Sequence, residues 1–255
     1  MSKESHLRRT TLVLCVAMAV GCSSAGRGQD AEPATTLDLA ELLTRRKVAV
    51  TARGDGMERV SLELHRLTAG IEAVRIPAGT YFVAHRAAVQ NMVSTAPQTV
   101  RVSGDGWVFV DITAAAANLR RARPLTGDTF EVRRSTEDED LRRLIPILAL
   151  AAATYAVRQA AVWIATDDAG YEEMGTVVVG SAMNTARVID DAAMAKALEL
   201  CDRAGIDVTQ KTLWRDRDRI LRGLPEGPPA DWLHRKGSTM SSSGKRMASG
   251  FPAEP

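Results

Sequence analysis

The sequence predicts an α+β protein in two parts, an antiparallel β-sandwich over residues 41–134 followed by a small helical domain over residues 135–224. Three observations predict it. Apolar and polar residues alternate in short runs from about Lys47 to Arg134. Glycine, proline and aspartate punctuate those runs at short intervals, as turns between strands require. From about Ser135 the apolar spacing changes to the helical one.

The strands are read from side-chain alternation, which puts successive residues on opposite faces of a sheet. Val60, Leu62 and Leu64 alternate with Arg59, Ser61, Glu63 and His65. Val74 and Ile76 precede Pro77-Ala78-Gly79, a turn signal, and Thr80–Ala84 resumes a strand. Val100 and Val102 flank Arg101, and Gly104-Asp105-Gly106 leads tightly into Trp107–Thr113. Phe130 and Val132 mark a last strand, and Gly54-Asp55-Gly56 is an early turn. Many short strands with frequent turns imply a sandwich or barrel, here taken as a sandwich of immunoglobulin-like architecture. The Cys…Trp…Cys signature of immunoglobulin domains is absent, which leaves the strand order open.

The helical part opens on Ser135–Asp140, where capping and acidic residues favour the positive end of a helix dipole. Leu144–Val157 is apolar almost all round and reads as a buried helix, broken or restarted near Pro146. A second helix covers about Ala186–Ala204, with Ile189, Ala193, Ala197, Leu200 and Ala204 on one stripe and Gly205 ending it. A third covers about Thr209–Leu221, and its Arg215–Arg219 charge run forms a solvated face. Residues 225–255 are rich in proline, glycine and serine and read as a disordered tail, with Trp232 able to pin a short piece to the body.

At the other end, a basic segment with Lys3, Arg8 and Arg9 precedes the apolar run Thr11–Val20. That run is shorter than the roughly 20 residues a membrane-spanning helix needs. The arrangement is an export signal over residues 1–21, and Ala19-Val20-Gly21-Cys22 resembles the lipobox of bacterial lipoproteins, with Ala19 in place of the favoured leucine. The resemblance implies cleavage before Cys22 and acyl chains, such as palmitate, on that residue. More than one chain is what makes such anchoring stable. Thr10 and Thr11 after Arg8-Arg9 fit a twin-arginine signal poorly, which favours general secretion. Residues 22–40 read as a flexible tether. Ser23-Ser24 lacks an aspartate after the lipidated cysteine. By analogy with enterobacterial sorting, this points to the outer membrane of a two-membrane host, and otherwise to the outer face of the plasma membrane.

Loss of the signal lowers the formal charge from +2 to zero. A neutral chain lacks the basic face that nucleic-acid binding requires. Cys15 leaves with the signal and Cys22 carries lipid, so Cys201 has no intramolecular partner and reads as a small buried hydrophobe. Among the histidines, His65 and His85 fall on separate strands with no metal-ligand spacing, and no Gly-x-Ser-x-Gly elbow surrounds Ser181. Arg53-Gly54-Asp55 spells an attachment tripeptide that a hairpin turn explains. Neither a cofactor nor a metal is implied.

The most distinctive segment is Val157–Asp168, which resembles the Gln-x-Ala-x-Trp helix of bacterial thioester domains, a family of surface adhesins. Gln159, Ala161, Trp163, Thr166 and Asp167 match, whereas Arg158 and Val162 depart from the pattern. In that family the glutamine joins an upstream cysteine, and this chain has none between Cys22 and Gln159. The resemblance implies a binding role for Gln159, Trp163 and Asp167 without the covalent chemistry. It requires Gln159 to face an open cleft; a buried Gln159 bonded to backbone, with Trp163 in the core, is the plainer reading. Asp167, Asp168, Glu172 and Glu173 form a carboxylate cluster that would suit a hydrolase only if Asp167 and Glu173 converge on one pocket. Otherwise they flank the Gly170 turn. The expectation is therefore a lipid-anchored envelope protein with a binding or structural role rather than an enzyme, whose partners are the membrane and an envelope protein or surface ligand. The adhesin and the hydrolase are the alternatives.

Overall fold

Gly54 makes the closest backbone approach in the β region: a Cβ built there would lie 2.5 Å from the Leu125 carbonyl oxygen. Only a residue without a side chain lets the loop before the last barrel strand press on the second strand of the chain. That contact closes a cylinder. The computed structural model describes residues 36–247 except 103, 176, 177, 182 and 183.

The chain begins with β1 (Thr36–Asp38) and α1 (Leu39–Thr44), then β2 (Val48–Asp55) and β3 (Arg59–Arg66) form a hairpin. The strands β4 (Ala73–Ile76), β5 (Tyr81–Ala84), β6 (Asn91–Ser94), β7 (Gln98–Arg101), β8 (Val108–Ala117) and β9 (Thr129–Arg133) follow. Strands β2, β3, β8, β6, β5 and β9 close an antiparallel barrel in that order. Strands β1, β4 and β7 form a separate sheet, with β1 parallel and β7 antiparallel to β4.

The expected β-sandwich is therefore corrected to a barrel. Alternation reports which face a residue occupies, and the inward faces of both architectures alternate alike. The difference lies in one short pairing, Ala52 opposite Phe130 and Arg53 opposite Thr129. The Gly54 amide extends it by donating to the Asp128 carbonyl at 2.9 Å. The tripeptide Arg53-Gly54-Asp55 lies in β2, and its charges are engaged, Arg53 with Glu63 at 3.1 Å and Asp55 with Arg59 at 2.9 Å.

The helices are α2 (Glu139–Leu150), α3 (Tyr155–Asp167), α4 (Tyr171–Met174), α5 (Asp191–Arg203), α6 (Thr212–Arg215), α7 (Arg217–Gly223) and α8 (Pro228–Met247). A two-stranded hairpin, β10 (Val178–Ser181) and β11 (Asn184–Arg187), precedes α5. The apolar stretch Leu144–Val157 is split between α2 and α3. Ala152 turns left-handed at φ +45°, and the Thr154 hydroxyl accepts from the Val157 amide at 3.5 Å to start a new helix. The break falls after Leu150 rather than at Pro146, which lies inside α2.

A separate helical domain is likewise corrected. Helix α3 lies against β8, and one continuous core includes Leu62, Ile112 and Phe82 of the barrel with Trp163, Leu198 and Leu213 of the helices. Strand β8 is buried from Ala114 to Ala117 without alternation, because both of its faces are covered there. Those alanines are small enough for a helix to approach the sheet closely.

At the chain ends, residues 36–40 belong to β1 and α1 rather than to a tether, and Leu39 is fully buried. The disordered tail is corrected over 228–247, which is helical. Pro228 and Pro229 suit a first helical turn, where no amide donor is needed. Ala230 and Leu233 are buried, Lys236 pairs with Asp202 at 2.6 Å, and Trp232 packs edge-on to Trp214. The signal, the lipidation site Cys22 and residues 22–35 lie outside the described residues.

Replacing Gly54 with alanine forces the Leu125 carbonyl away and should cost about 1–3 kcal/mol, the usual range for overpacking. Gly56→Ala, in open space at φ +76°, meets no atom and should cost about 1 kcal/mol from backbone strain alone. Urea unfolding of the two variants checks the order.

Candidate functional site

Gln159 is the fifth residue of α3 and has no solvent exposure. Its carboxamide forms two reciprocal bonds with one residue of β8. Its Oε1 accepts from the Ala116 amide at 2.9 Å, and its Nε2 donates to the Ala116 carbonyl at 2.7 Å. The geometry follows from strand alternation, in which successive residues direct their N–H and C=O to opposite neighbours. The Ala114 amide bonds the Glu58 carbonyl at 2.8 Å. Ala116 points the same way two residues later, beyond the start of β3. Gln159 supplies the missing rung of the ladder there.

Trp163, one turn further along α3, is 1 % exposed and fills the core, with its indole N–H unbonded. Asp167 accepts from the Thr166 hydroxyl at 2.6 Å. The three residues singled out for binding thus do not form a surface. Gln159 faces no cleft, so the condition set by the thioester-domain resemblance is not met.

The carboxylates near Gly170 hold different partners. Asp168 caps α6 through the Thr212 amide and hydroxyl, each at 2.7 Å. Glu173 accepts from the Gly170 amide at 3.1 Å and pairs with Arg120 at 2.8 Å. Glu172 pairs with Arg219, whose guanidinium lies over the Tyr171 ring at 3.9 Å. Asp167 and Glu173 line neither of the two clefts described below, and Arg120 meets both residues, through the Asp167 carbonyl at 3.3 Å and the Glu173 carboxylate at 2.8 Å. Among the described residues no three histidine, cysteine or acidic side chains cluster to hold a metal. His65 stacks on Trp107 at 5.2 Å, and His85 contacts the Thr129 hydroxyl at 2.9 Å. Cys201 is fully buried against the Ala161 carbonyl, and burial pushes its thiol pKa well above the usual range.

A cleft of about 280 Å³ opens elsewhere, between the end of β9 and α2. Three segments wall it. The first is the β4–β5 turn at Ala78 and Gly79. The Pro77 carbonyl holds that turn by accepting from the Thr80 and Ser94 hydroxyls at 2.8 and 2.7 Å. Gly79 adopts φ +91°, and a Cβ there would touch Ile145 at 3.4 Å. The second segment is Arg134-Ser135-Thr136. Arg133 turns back on Glu131 at 3.0 Å, and Arg134 enters the cleft wall. The Thr136 hydroxyl accepts from the Asp138 amide at 3.1 Å, and Asp138 in turn caps α2 through Leu141 at 2.8 Å. The third is the α2 face bearing Arg142, Ile145 and Pro146. A second groove of about 270 Å³ between α7 and α8 carries both Arg217 and Asp218, and so has no single charge preference.

Sequence reasoning missed the first cleft. Its walls come from three separated stretches, of which only the Pro77-Ala78-Gly79 turn and the start of α2 carried a local signal. No known protein family, curated protein or solved structure matches the chain.

Gln159→Leu removes the rung and leaves the Ala116 amide and carbonyl buried without partners. It should lower stability by about 3 kcal/mol, each orphaned group costing about 1–3 kcal/mol; chemical unfolding measures it. Cys201 should resist maleimide in the folded protein and react fully in denaturant, which mass spectrometry of a variant lacking Cys22 reads directly.

Proposed function

We propose that the protein is a lipid-anchored binding protein of the bacterial envelope, cleaved before Cys22 and without catalytic activity of its own. One contrast carries the reading. The reactive candidates nominated by the sequence are spent on internal bonds, whereas an open cleft keeps two guanidinium groups without any ion-pair partner among the described residues. Enzymes arrange nucleophiles, acids and bases around a space where a substrate can sit. Here the lining is donors and apolar carbon, which can hold a ligand and has nothing to transform it.

The anchor rests on the N-terminal pattern of charge, apolar run and Cys22. Acyl chains on Cys22 would hold the folded body at the outer membrane of a two-membrane host, or at the outer face of a single membrane.

Intact-mass analysis of the native protein should show a chain beginning at an acylated Cys22. Cys22→Ser should move the protein from the membrane to the soluble fraction with its thermal unfolding unchanged. A retained leader or an unmodified Cys22 overturns the anchor. Turnover of a substrate that a single substitution abolishes overturns the non-catalytic part.

A further inference from the structure

We propose that the cleft between β9 and α2 is a binding site for a small carboxylate with an apolar body; this rests on the reading of the protein as a binding module. Four features point to that chemistry. First, the two charged side chains lining the cleft are both arginines, Arg134 from the strand side and Arg142 from the helix side. Neither has an ion-pair or side-chain hydrogen-bond partner among the described residues, although most arginines around the barrel do, as with Arg53, Arg59, Arg66 and Arg75.

Second, no acid lines the cleft to neutralise them. The nearby acids are otherwise placed. Glu131 is held by Arg133, Asp138 is committed to the α2 cap, and Glu139 faces Arg143 at 3.8 Å. Glu137 is exposed on the loop and does not line the cleft.

Third, the remaining polar groups are donors in the right place. The Thr136 oxygen already accepts a bond from Asp138, so its proton is available, and Ser135 adds a second hydroxyl. Guanidinium forks and hydroxyls together match the oxygens of a carboxylate.

Fourth, the rest of the lining is carbon: Ala78, Ile145 and the Pro146 ring. This is where an apolar body gains over a bare inorganic anion, because burying its surface against Ile145 is favourable and hydrated phosphate gains nothing there. The volume of about 280 Å³ sits at the lower end of small-ligand sites, roughly 300 Å³, so the body is one ring or one branched chain. A free acid and the C-terminal residue of a peptide both present this chemistry.

The test uses the soluble Cys22→Ser protein and NMR titration with phenylacetate, phenylacetamide, N-acetyl-leucine and inorganic phosphate. Saturable shifts at Gly79 and Ile145 are expected with phenylacetate, N-acetyl-leucine or both. Tighter N-acetyl-leucine assigns the site to peptide ends, and tighter phenylacetate assigns it to free acids. The uncharged phenylacetamide should bind about tenfold or more weakly, as should phenylacetate to Arg134→Ala or Arg142→Ala. Arg→Lys at either position, which keeps charge and loses the fork, should fall between. Arg101→Ala on β7 should have no effect. All these side chains are exposed, so the variants should fold.

The proposal is overturned by no saturable shift up to about 10 mM of either acid. It is equally overturned by phosphate binding as tightly as phenylacetate, or by Arg101→Ala weakening binding as much as the cleft variants. An empty cleft in a protein that is acylated at Cys22 and turns over nothing would remove this ligand assignment and leave the anchored, non-catalytic reading standing.

Discussion

One side-chain amide holds this architecture together. Strand β8 outruns β3, and past Glu58 its edge has a peptide group facing no strand. In a barrel interior such a group is costly, since water cannot reach it. The Gln159 carboxamide has the same donor and acceptor as a peptide, and it occupies the position that a β3 extended at its amino-terminal end would have held. Helix α3 is thereby joined to the sheet by a polar contact of fixed register, and its apolar face, with Trp163, is brought onto the buried alanines of β8. The barrel and the helices consequently share a core. A hydrophobic residue at 159 could fill the same volume and would fix nothing, because dispersion does not specify one residue of the strand over the next.

Charge follows a similar logic at the surface. Arginines on the barrel meet acids on a neighbouring strand or loop, as Arg53 meets Glu63 on β3 and Arg66 meets Asp105 in the loop before β8. Each exposed pair contributes little to stability, about 0–1 kcal/mol. Their effect is to keep those side chains occupied, which distinguishes them from a region where two unmatched guanidinium groups wall one cleft. The cleft at Arg134 and Arg142 is such a region, floored by carbon rather than water.

The strands of the barrel were legible in the sequence because burial of one face writes alternation into the chain, and Val60, Leu62 and Leu64 display it. The closure was not legible. It depends on which strand meets β2 and on a steric detail at Gly54, neither of which has a periodic signature. The apolar run Leu144–Val157 was visible as buried helix, but its division was not, because an alanine in the left-handed region at 152 carries no turn signal. The tail illustrates the opposite error: a composition of proline, glycine and serine concealed the helical spacing of Ala230, Leu233 and Lys236. Gln159 and Trp163 stood out in the sequence, and in the fold both are enclosed, Gln159 bonded to Ala116 and Trp163 within the core. The cleft drew on side chains far apart in the chain, and only folding brings them to one place.

The first three described residues have a mechanical consequence. Strand β1 joins the molecule as a parallel neighbour of β4, and Asp38 at its end grips Arg75 at 2.7 Å just before Leu39 and Leu42 plunge into the core. Among the described residues, a tug transmitted along the polypeptide from its amino-terminal side arrives at Thr36 first. It meets a short patch of ladder, then an ion pair, then two leucines seated in the interior, a sequence of progressively firmer holds. A load entering there would have to undo the ladder and the ion pair before it reached the cylinder.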